Sequence, residues 1–463
     1  MNRSPYIVTR RKFLLGSGAL AASSALGMLE NMGLMRAFAQ AAPASDYKAL
    51  VCVFLFGGND ANNMIIPRDN AGYSQYAAAR GGSGGLAIAQ SSLVPIDPKS
   101  LATGYGMHPQ LQPLKTVWDA GKLAVLCNVG TLVEPLSKAD YTSGAKVKPE
   151  QLFSHSDQQM QWQASISNDF SHTGWGGRLA DVIGKVNGAN TLPMIASIGG
   201  ASLFSAGLTP RVIALPVSGS FGLSGFTSST ASQSRLKALK DILLLDSSSE
   251  LVRAADDVMA QAIDASSIIN PVITSTTSSI TSVFANARNN LGNQLLQVAK
   301  LIEARAALGL KRQIFFVSLG GFDTHNNEIN THDQLYGQLG PALQAFYDAT
   351  VQLGVAEQVA TFTLSDFGRT LKAASGGGSD HAWGNHHLIM GGAVKGGDFY
   401  GRFPSLVLGG PDDVSNEGRW LPTTSVDQYA ATLATWLGVG ASDLSTVVPN
   451  IGRFAASNLG FLS

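Results

Sequence analysis

Gln313-Ile314-Phe315-Phe316-Val317-Ser318-Leu319 runs without interruption into Gly320-Gly321-Phe322-Asp323-Thr324-His325. An apolar, β-branched and aromatic run reads as a buried strand. The paired glycines behind it read as a turn. Asp323 and His325 are two residues apart, and in extended backbone such side chains point the same way. A carboxylate and an imidazole so placed can meet one ion. The same pattern recurs along the chain. Residues 50–56 lead into Gly57-Gly58-Asn59-Asp60, and residues 359–364 into Ser365-Asp366-Phe367-Gly368-Arg369. Gly378-Ser379-Asp380-His381-Ala382-Trp383-Gly384 stands just before the run 387–390. Parallel α/β sheets bind ligands outside the carboxyl ends of their strands. Carboxylates and imidazoles gathered there repel one another unless a cation neutralises them. Metal or shared active-site use of Asp323, His325, Asp366 and His381 is therefore expected, with a divalent ion (Zn, Mn, Mg or Ca) and with Asp60 facing the same ligand crevice.

Further strand-like runs lie at 123–129, 194–198, 212–215, 388–390 and 405–408, with amphipathic helical patterns at 291–308, 336–353 and 426–437. Strands alternating with helices predict an α/β fold, a doubly wound, mostly parallel sheet covered on both faces. Residues 218–234 are rich in Ser, Gly and Thr, and helical patterns follow at 235–245 and 251–268. About 200–290 is expected to be a helical, Ser/Thr-rich insertion or cap on a single domain spanning 40–463.

The chain has 463 residues, 45% hydrophobic and only 14% charged, with a formal net charge of zero. Thr9-Arg10-Arg11-Lys12-Phe13-Leu14 is a twin-arginine pattern, followed by a moderately apolar stretch and an Ala37-Phe38-Ala39 cleavage site. Residues 1–39 are expected to be a signal peptide that engages the twin-arginine translocase and is then removed, leaving no stable membrane anchor. The destination is the periplasm or the exterior. The remaining chain has a net charge of −4 and no basic surface signal, which argues against nucleic acid. Cys52 and Cys127, each inside an apolar run, are expected to be free buried thiols rather than a disulfide.

Phe153-Ser154-His155-Ser156-Asp157 precedes a helical stretch. Ser154 and Ser156 are both candidates for a nucleophile, because a helix N-terminus favours negative charge. Arg178 and Arg369 are candidates to clamp an anionic group. His386 and His387, being adjacent, should point to opposite sides of a strand, one of them orienting a ligand.

The ordered set Gly57-Gly58-Asn59-Asp60, Ser154-His155, Gly321-Phe322-Asp323-Thr324-His325, Ser365-Asp366-Phe367-Gly368-Arg369 and Asp380-His381-Ala382-Trp383-Gly384 resembles an exported bacterial family named only as domain of unknown function 1501. The resemblance covers essentially the whole mature chain. It implies a branch of the alkaline phosphatase, sulfatase and phosphomutase superfamily, with that superfamily's α/β/α sandwich. It also implies roles: Asp60 as the aspartate after the first strand, Ser154 as a metal-bridged nucleophile, and Asp323, His325 and His381 at one ion. Asp366 would then serve a second ion. Phe367 stands where the superfamily commonly carries a histidine, and the Asp-Thr-His pair is closer than usual. Those departures leave the second position weaker, suited to a harder ion, or empty. The implied activity is metal-dependent hydrolysis of phosphate or sulfate esters, on an anionic small molecule or polymer. The alternative is a non-catalytic exported binding or structural protein on the same fold.

Overall fold

A computed structural model describes residues 46–81, 85–188, 190, 192–209, 212–245 and 249–463; the expected signal peptide lies outside them. The chain folds around a nine-stranded sheet in the order β11-β5-β10-β9-β1-β8-β6-β7, with β12 also paired to β5. These strands are β1 (Lys48–Phe56), β5 (Leu123–Gly130), β6 (Ile195–Ser197), β7 (Val212–Ala214), β8 (Arg312–Gly320), β9 (Val359–Ser365), β10 (Asn385–Met390), β11 (Asp398–Gly401) and β12 (Thr424–Ser425). Within this sheet β10 alone runs against its neighbours. A small antiparallel sheet, β2 (Ile65–Pro67), β3 (Val94–Ile96) and β4 (Tyr105–Met107), packs to one side.

β1 shows why the sheet is covered on both faces. Its residues Ala49 to Leu55 are all buried. Val51, Val53 and Leu55 belong to the core on one side, and Leu50, Cys52 and Phe54 to the core on the other. Among the helices are α1 (Ala61–Met64), α2 (Asn70–Arg80), α3 (His155–Ala164), α4 (Trp175–Ile183), α5 (Thr230–Leu243), α6 (Glu250–Ile273), α7 (Asn290–Glu303), α8 (Glu328–Gln352) and α9 (Val426–Leu437). α7 and α8 supply Leu295, Val298, Leu339 and Phe346 to the first core. Trp162 of α3, Leu179 of α4 and Leu433 of α9 line the second. The result is an α/β/α sandwich. The start of α9 is closed by a capping box, with Ser425 and Gln428 exchanging side chain-to-backbone hydrogen bonds of 3.0 and 3.1 Å.

Cys52 and Cys127 are free and buried. They sit on opposite faces of the sheet, with β9 and β10 between their strands. Residues 405–408 were expected to be a strand and are not: the Ser405 amide donates to the Asp412 carboxylate (2.9 Å) instead of to a neighbouring strand. Residues 212–214, inside the span expected to be an insertion, pair with β6 as the sheet's edge strand. Among the described residues no helix is long and apolar enough to cross a membrane.

The feature that positions the site is the register of three parallel central strands. Leu55 of β1 pairs with Leu319 of β8 and with Ser365 of β9, so all three end at one level. The chain segments that follow them must share the same small volume. Gly57 (φ +114°) makes this possible, because a Cβ there would lie 2.4 Å from the Asp323 amide nitrogen. Gly57→Ala should cost about 3 kcal/mol or more, combining left-handed strain with a backbone clash. Gly144→Ala, at φ +71° with open space around it, should cost only about 1 kcal/mol. Urea unfolding of the two variants checks this, and equal losses would contradict the close approach.

Candidate metal centre

Four side chains from three segments converge beyond the strand ends. His155 is the first residue of α3, Asp323 and His325 follow β8, and His381 lies between β9 and β10. The Nε2 of His381 is 3.1 Å from Nε2 of His155 and 2.9 Å from Nε2 of His325. Asp323 Oδ1 is 3.4, 3.1 and 3.4 Å from the Nε2 atoms of His155, His325 and His381.

The tautomers decide what this convergence means. His155 Nδ1 lies 2.7 Å from an Asp366 carboxylate oxygen, and His381 Nδ1 lies 2.8 Å from the Phe153 carbonyl. Both partners only accept, so both Nδ1 atoms carry hydrogen. In the neutral imidazoles the two Nε2 lone pairs then face each other, beside a carboxylate oxygen. That arrangement is repulsive without a cation. Ligands about 2.0–2.1 Å from a tetrahedral ion stand about 3.3–3.4 Å apart, close to the separations among His155 Nε2, His381 Nε2 and Asp323 Oδ1. The donor set therefore fits a divalent ion.

Titration follows the same contacts. The hydrogen bond to Asp366 raises the His155 pKa against the opposing effect of burial, while burial lowers that of His381. Burial pushes the Asp323 carboxyl up, but the hydrogen bond and charge of Arg369 outweigh it and the pKa is lowered.

The structure separates the other expected site residues from this cluster. Asp366 is buried behind His155, accepting from His155, from Gln159 Nε2 (2.7 Å) and from the Gly57 amide (3.1 Å). It stands as the carboxylate that orients a histidine, rather than as a fifth donor facing the cluster. Phe367 packs under both imidazoles, its ring 4.8 Å from that of His155 and 4.7 Å from that of His381. Arg369 is buried and donates to the carbonyls of Gly57, Gly58, Phe322 and Ser379 and to the Asp323 carboxylate. It holds Asp323 in place. Arg178 is also buried, donating to the carbonyls of Ala164, Thr173 and Val447, and is not brought to the site. Ser154 is the N-cap residue of α3, but its hydroxyl donates to Asp157 (2.6 Å) and lies 3.1 Å from the Ser156 hydroxyl. His386 and His387 do lie on opposite sides of β10, stacked on Phe403 and packed on Trp162 respectively, and neither joins the cluster.

Asp60 belongs to a second, fully buried group. Its carboxylate accepts from Arg80 (2.7 Å), which also meets Glu328 (3.3 Å). Glu328 accepts from Thr324 (3.1 Å) and Ser379, and His332 lies 3.3 Å from the Thr324 hydroxyl. The guanidinium already supplies the cation here. Two carboxylates beside one guanidinium retain a proton: burial and the Asp60 charge push the Glu328 pKa up to about 8. Burial is the largest influence on Asp60 and raises it, but the Arg80 charge together with the Glu328 and Arg80 hydrogen bonds and His332 outweighs it, and its pKa is lowered. Burial takes His332 down to about 3.

Residues 47–417 match the family described as protein of unknown function (DUF1501). The chain belongs to that family. No curated protein matches it. Among solved structures it is similar to the lipoteichoic acid synthase LtaP from Listeria monocytogenes (9% identity, TM-score 0.35, covering 89% of this chain and 79% of that one). It is also similar to the PsFucS1 sulfatase from Pseudoalteromonas sp. (9%, TM-score 0.31, 93% and 72%). A third is a mutant of the alkaline phosphatase PafA (12%, TM-score 0.25, 71% and 64%).

Sequence reading missed His155, Arg80, Glu328 and His332. His155 had a usable signal, since it adjoins Ser154 at a helix start. Arg80, Glu328 and His332 lie on helices, and no local pattern marks them. The protonated Glu328 gives a testable pH dependence. Its folded pKa is raised, so between about pH 4.5 and 8 the unfolded state binds fewer protons. Stability from this group should fall as pH rises, by at most about 1.4 kcal/mol per pH unit. Glu328→Gln keeps the neutral hydrogen-bonding shape and should remove that slope. Urea unfolding at pH 5.5 and pH 8 reads the difference between the two proteins, and parallel pH profiles would refute a protonated Glu328.

Proposed function

We propose that the protein is a hydrolase of phosphate or sulfate esters that works with one divalent ion, held by His155, Asp323, His325 and His381. The observation that carries this reading is the meeting of the His155 and His381 lone pairs beside the Asp323 carboxylate. The side chains of Asp323 and His325 are about half exposed, so a substrate can reach the cluster from solvent. When bound, such an ion activates water and polarises an ester oxygen. The chain's own groups supply the rest. Asp366 fixes the tautomer of His155, and Arg369 keeps Asp323 ionised and aimed. No side chain caps the start of α3, so its first amides are available to an anionic group beside His155. Export of the mature protein to the periplasm or beyond, with an anionic ester as substrate, completes the proposal.

One observation favours a second reading. His325 stands 2.9 Å from His381 Nε2 as a fourth donor beside His155, Asp323 and His381, and four protein donors would fill the shell as structural ions require, whereas catalytic zinc commonly keeps a position open. On that reading the ion stabilises a binding protein. Elemental mass spectrometry on protein purified from cells without chelators should find about one ion per chain, lost in His155→Ala, Asp323→Asn and His381→Ala. A panel of aryl phosphates, phosphodiesters and aryl sulfates then separates the two. Metal-dependent turnover supports the hydrolase, and a blank panel with the ion present supports the binder. A folded protein that takes up no ion would end both.

Ser154→Ala is expected to keep the ion and to reduce turnover less than tenfold, because the hydroxyl is directed at Asp157. A loss of about a thousandfold or more would restore Ser154 as nucleophile. Acid should release the ion, since the imidazoles must be neutral to bind it. Occupancy should fall as pH drops from about 7 to 5, with protonation of His155 leading. Equilibrium dialysis at stepped pH measures this, and unchanged occupancy at pH 5 would argue against histidine ligation.

A further inference from the structure

α5 and α6 form a helical pair whose outer half is bare. α6 buries Ile263, Ala265, Ile269, Val272 and Ile273, all in its second half, and α5 buries only Ser232. In the first half of α6, Leu251 is 81% exposed and Val252, Val258 and Met259 are exposed as well. Leu251 and Val258, and likewise Val252 and Met259, are seven residues apart, so the four form one stripe along the helix. Ile242 at the end of α5 and Leu244 and Leu245 just beyond are also exposed, Leu244 by 81%. Exposed apolar side chains in this number on one helical pair mark an interaction site.

The charges around the stripe identify the partner. α5 carries Arg235, Lys237 and Lys240 against Asp241. α6 carries Glu250, Asp256 and Asp257 in its first half and Asp264 just beyond, against Arg253. Within the chain, Lys237 pairs with Asp241 and Lys240 with Asp264. Glu250, Asp256 and Asp257 have no ion pair among the described residues, and on α5 the same holds for Arg235. A helix that lies on a lipid surface carries a basic polar face, whereas α6 is acidic. A patch with one basic helix, one acidic helix and apolar residues between them is complementary to itself after a two-fold rotation.

We infer that the protein forms a two-fold dimer through α5 and α6, with the basic α5 of each copy against the acidic α6 of the other and Leu244, Leu251, Val258 and their neighbours buried between them. The test uses the mature chain in analytical ultracentrifugation at about 1–50 µM, with circular dichroism to confirm folding. The wild type should be a dimer, and Leu244→Glu with Leu251→Glu a folded monomer. Two charge variants test the pairing. Asp256→Lys with Asp257→Lys makes both helices basic, and Arg235→Glu with Lys237→Glu makes both acidic. Each alone should dissociate at least tenfold more readily than wild type, and an equimolar mixture should recover a dimer. Only contacts between copies can be rescued by mixing, because the clash within each chain remains. A monomeric wild type, a dimer indifferent to the leucine changes, or a mixture no tighter than its components would overturn the inference. So would a monomer that co-sediments with phosphatidylcholine vesicles, since lipid would then be the occupant.

Discussion

The guanidinium of Arg369 is the interaction on which the site depends. It is fully buried, and a buried charge is tolerated only when it is closely partnered. Its partners come from every strand end that matters: Gly57 and Gly58 after β1, Phe322 and Asp323 after β8, and Ser379 from the loop after β9. Four of these are carbonyls at turns, which have no strand partner of their own. One cation therefore satisfies the backbone where three parallel strands stop together, and it also aims the Asp323 carboxylate. The glycines beside it follow from this crowding: a Cβ on Gly58 would lie 2.4 Å from the Phe367 ring.

Two buried or half-buried cationic groups divide the acidic residues between them. Arg80 takes Asp60 and Glu328, and Arg369 takes Asp323. Asp366 has no guanidinium and instead accepts from His155, Gln159 and the Gly57 amide. This division explains why five expected ligands do not gather around two ions. Asp60 is drawn to Arg80, and Phe367 fills the space beneath the imidazoles. What remains facing outward is one carboxylate and three imidazoles, a set suited to a single ion.

Much of this arrangement was legible in the chain. The strand–glycine–acid pattern is a local signal, and it located β1, β8 and β9, the turns behind them, and the pairing of Asp323 with His325 and His381. The rest was not local. The antiparallel direction of β10 depends on a connection, not on composition. The use of Arg369 is set by carbonyls in other segments, so an arginine read as a substrate clamp became a strut. Asp60 follows the same pattern as Asp323, yet its partner Arg80 lies 20 residues away on a helix with no distinguishing motif. A carboxylate's role is decided by which cation reaches it, and that information is tertiary. The run 405–408 illustrates the same point for strands, since its apolar character found no neighbouring edge to pair with.

The contact that raises the proton affinity of His155 also makes it a better ligand. Asp366 accepts from Nδ1, which places electron density on Nε2, where either a proton or a metal ion can bind. A proton on His155 Nε2 can donate to only one neighbour, while His325, His381 and Asp323 all converge on the same region. A divalent ion would meet the donors of His155, His381 and Asp323 together, with the carboxylates of Asp323 and Asp366 offsetting its charge. The cluster therefore favours the ion over the proton increasingly as pH rises. The half-exposed faces of Asp323 and His325 remain its way in from solvent. The rigid backing of Asp366 and Arg369 lies on the protein side, and the mobile chemistry on the open side. That asymmetry leaves the solvent side, where Asp323 and His325 are half exposed, as the one from which a ligand would approach the four side chains.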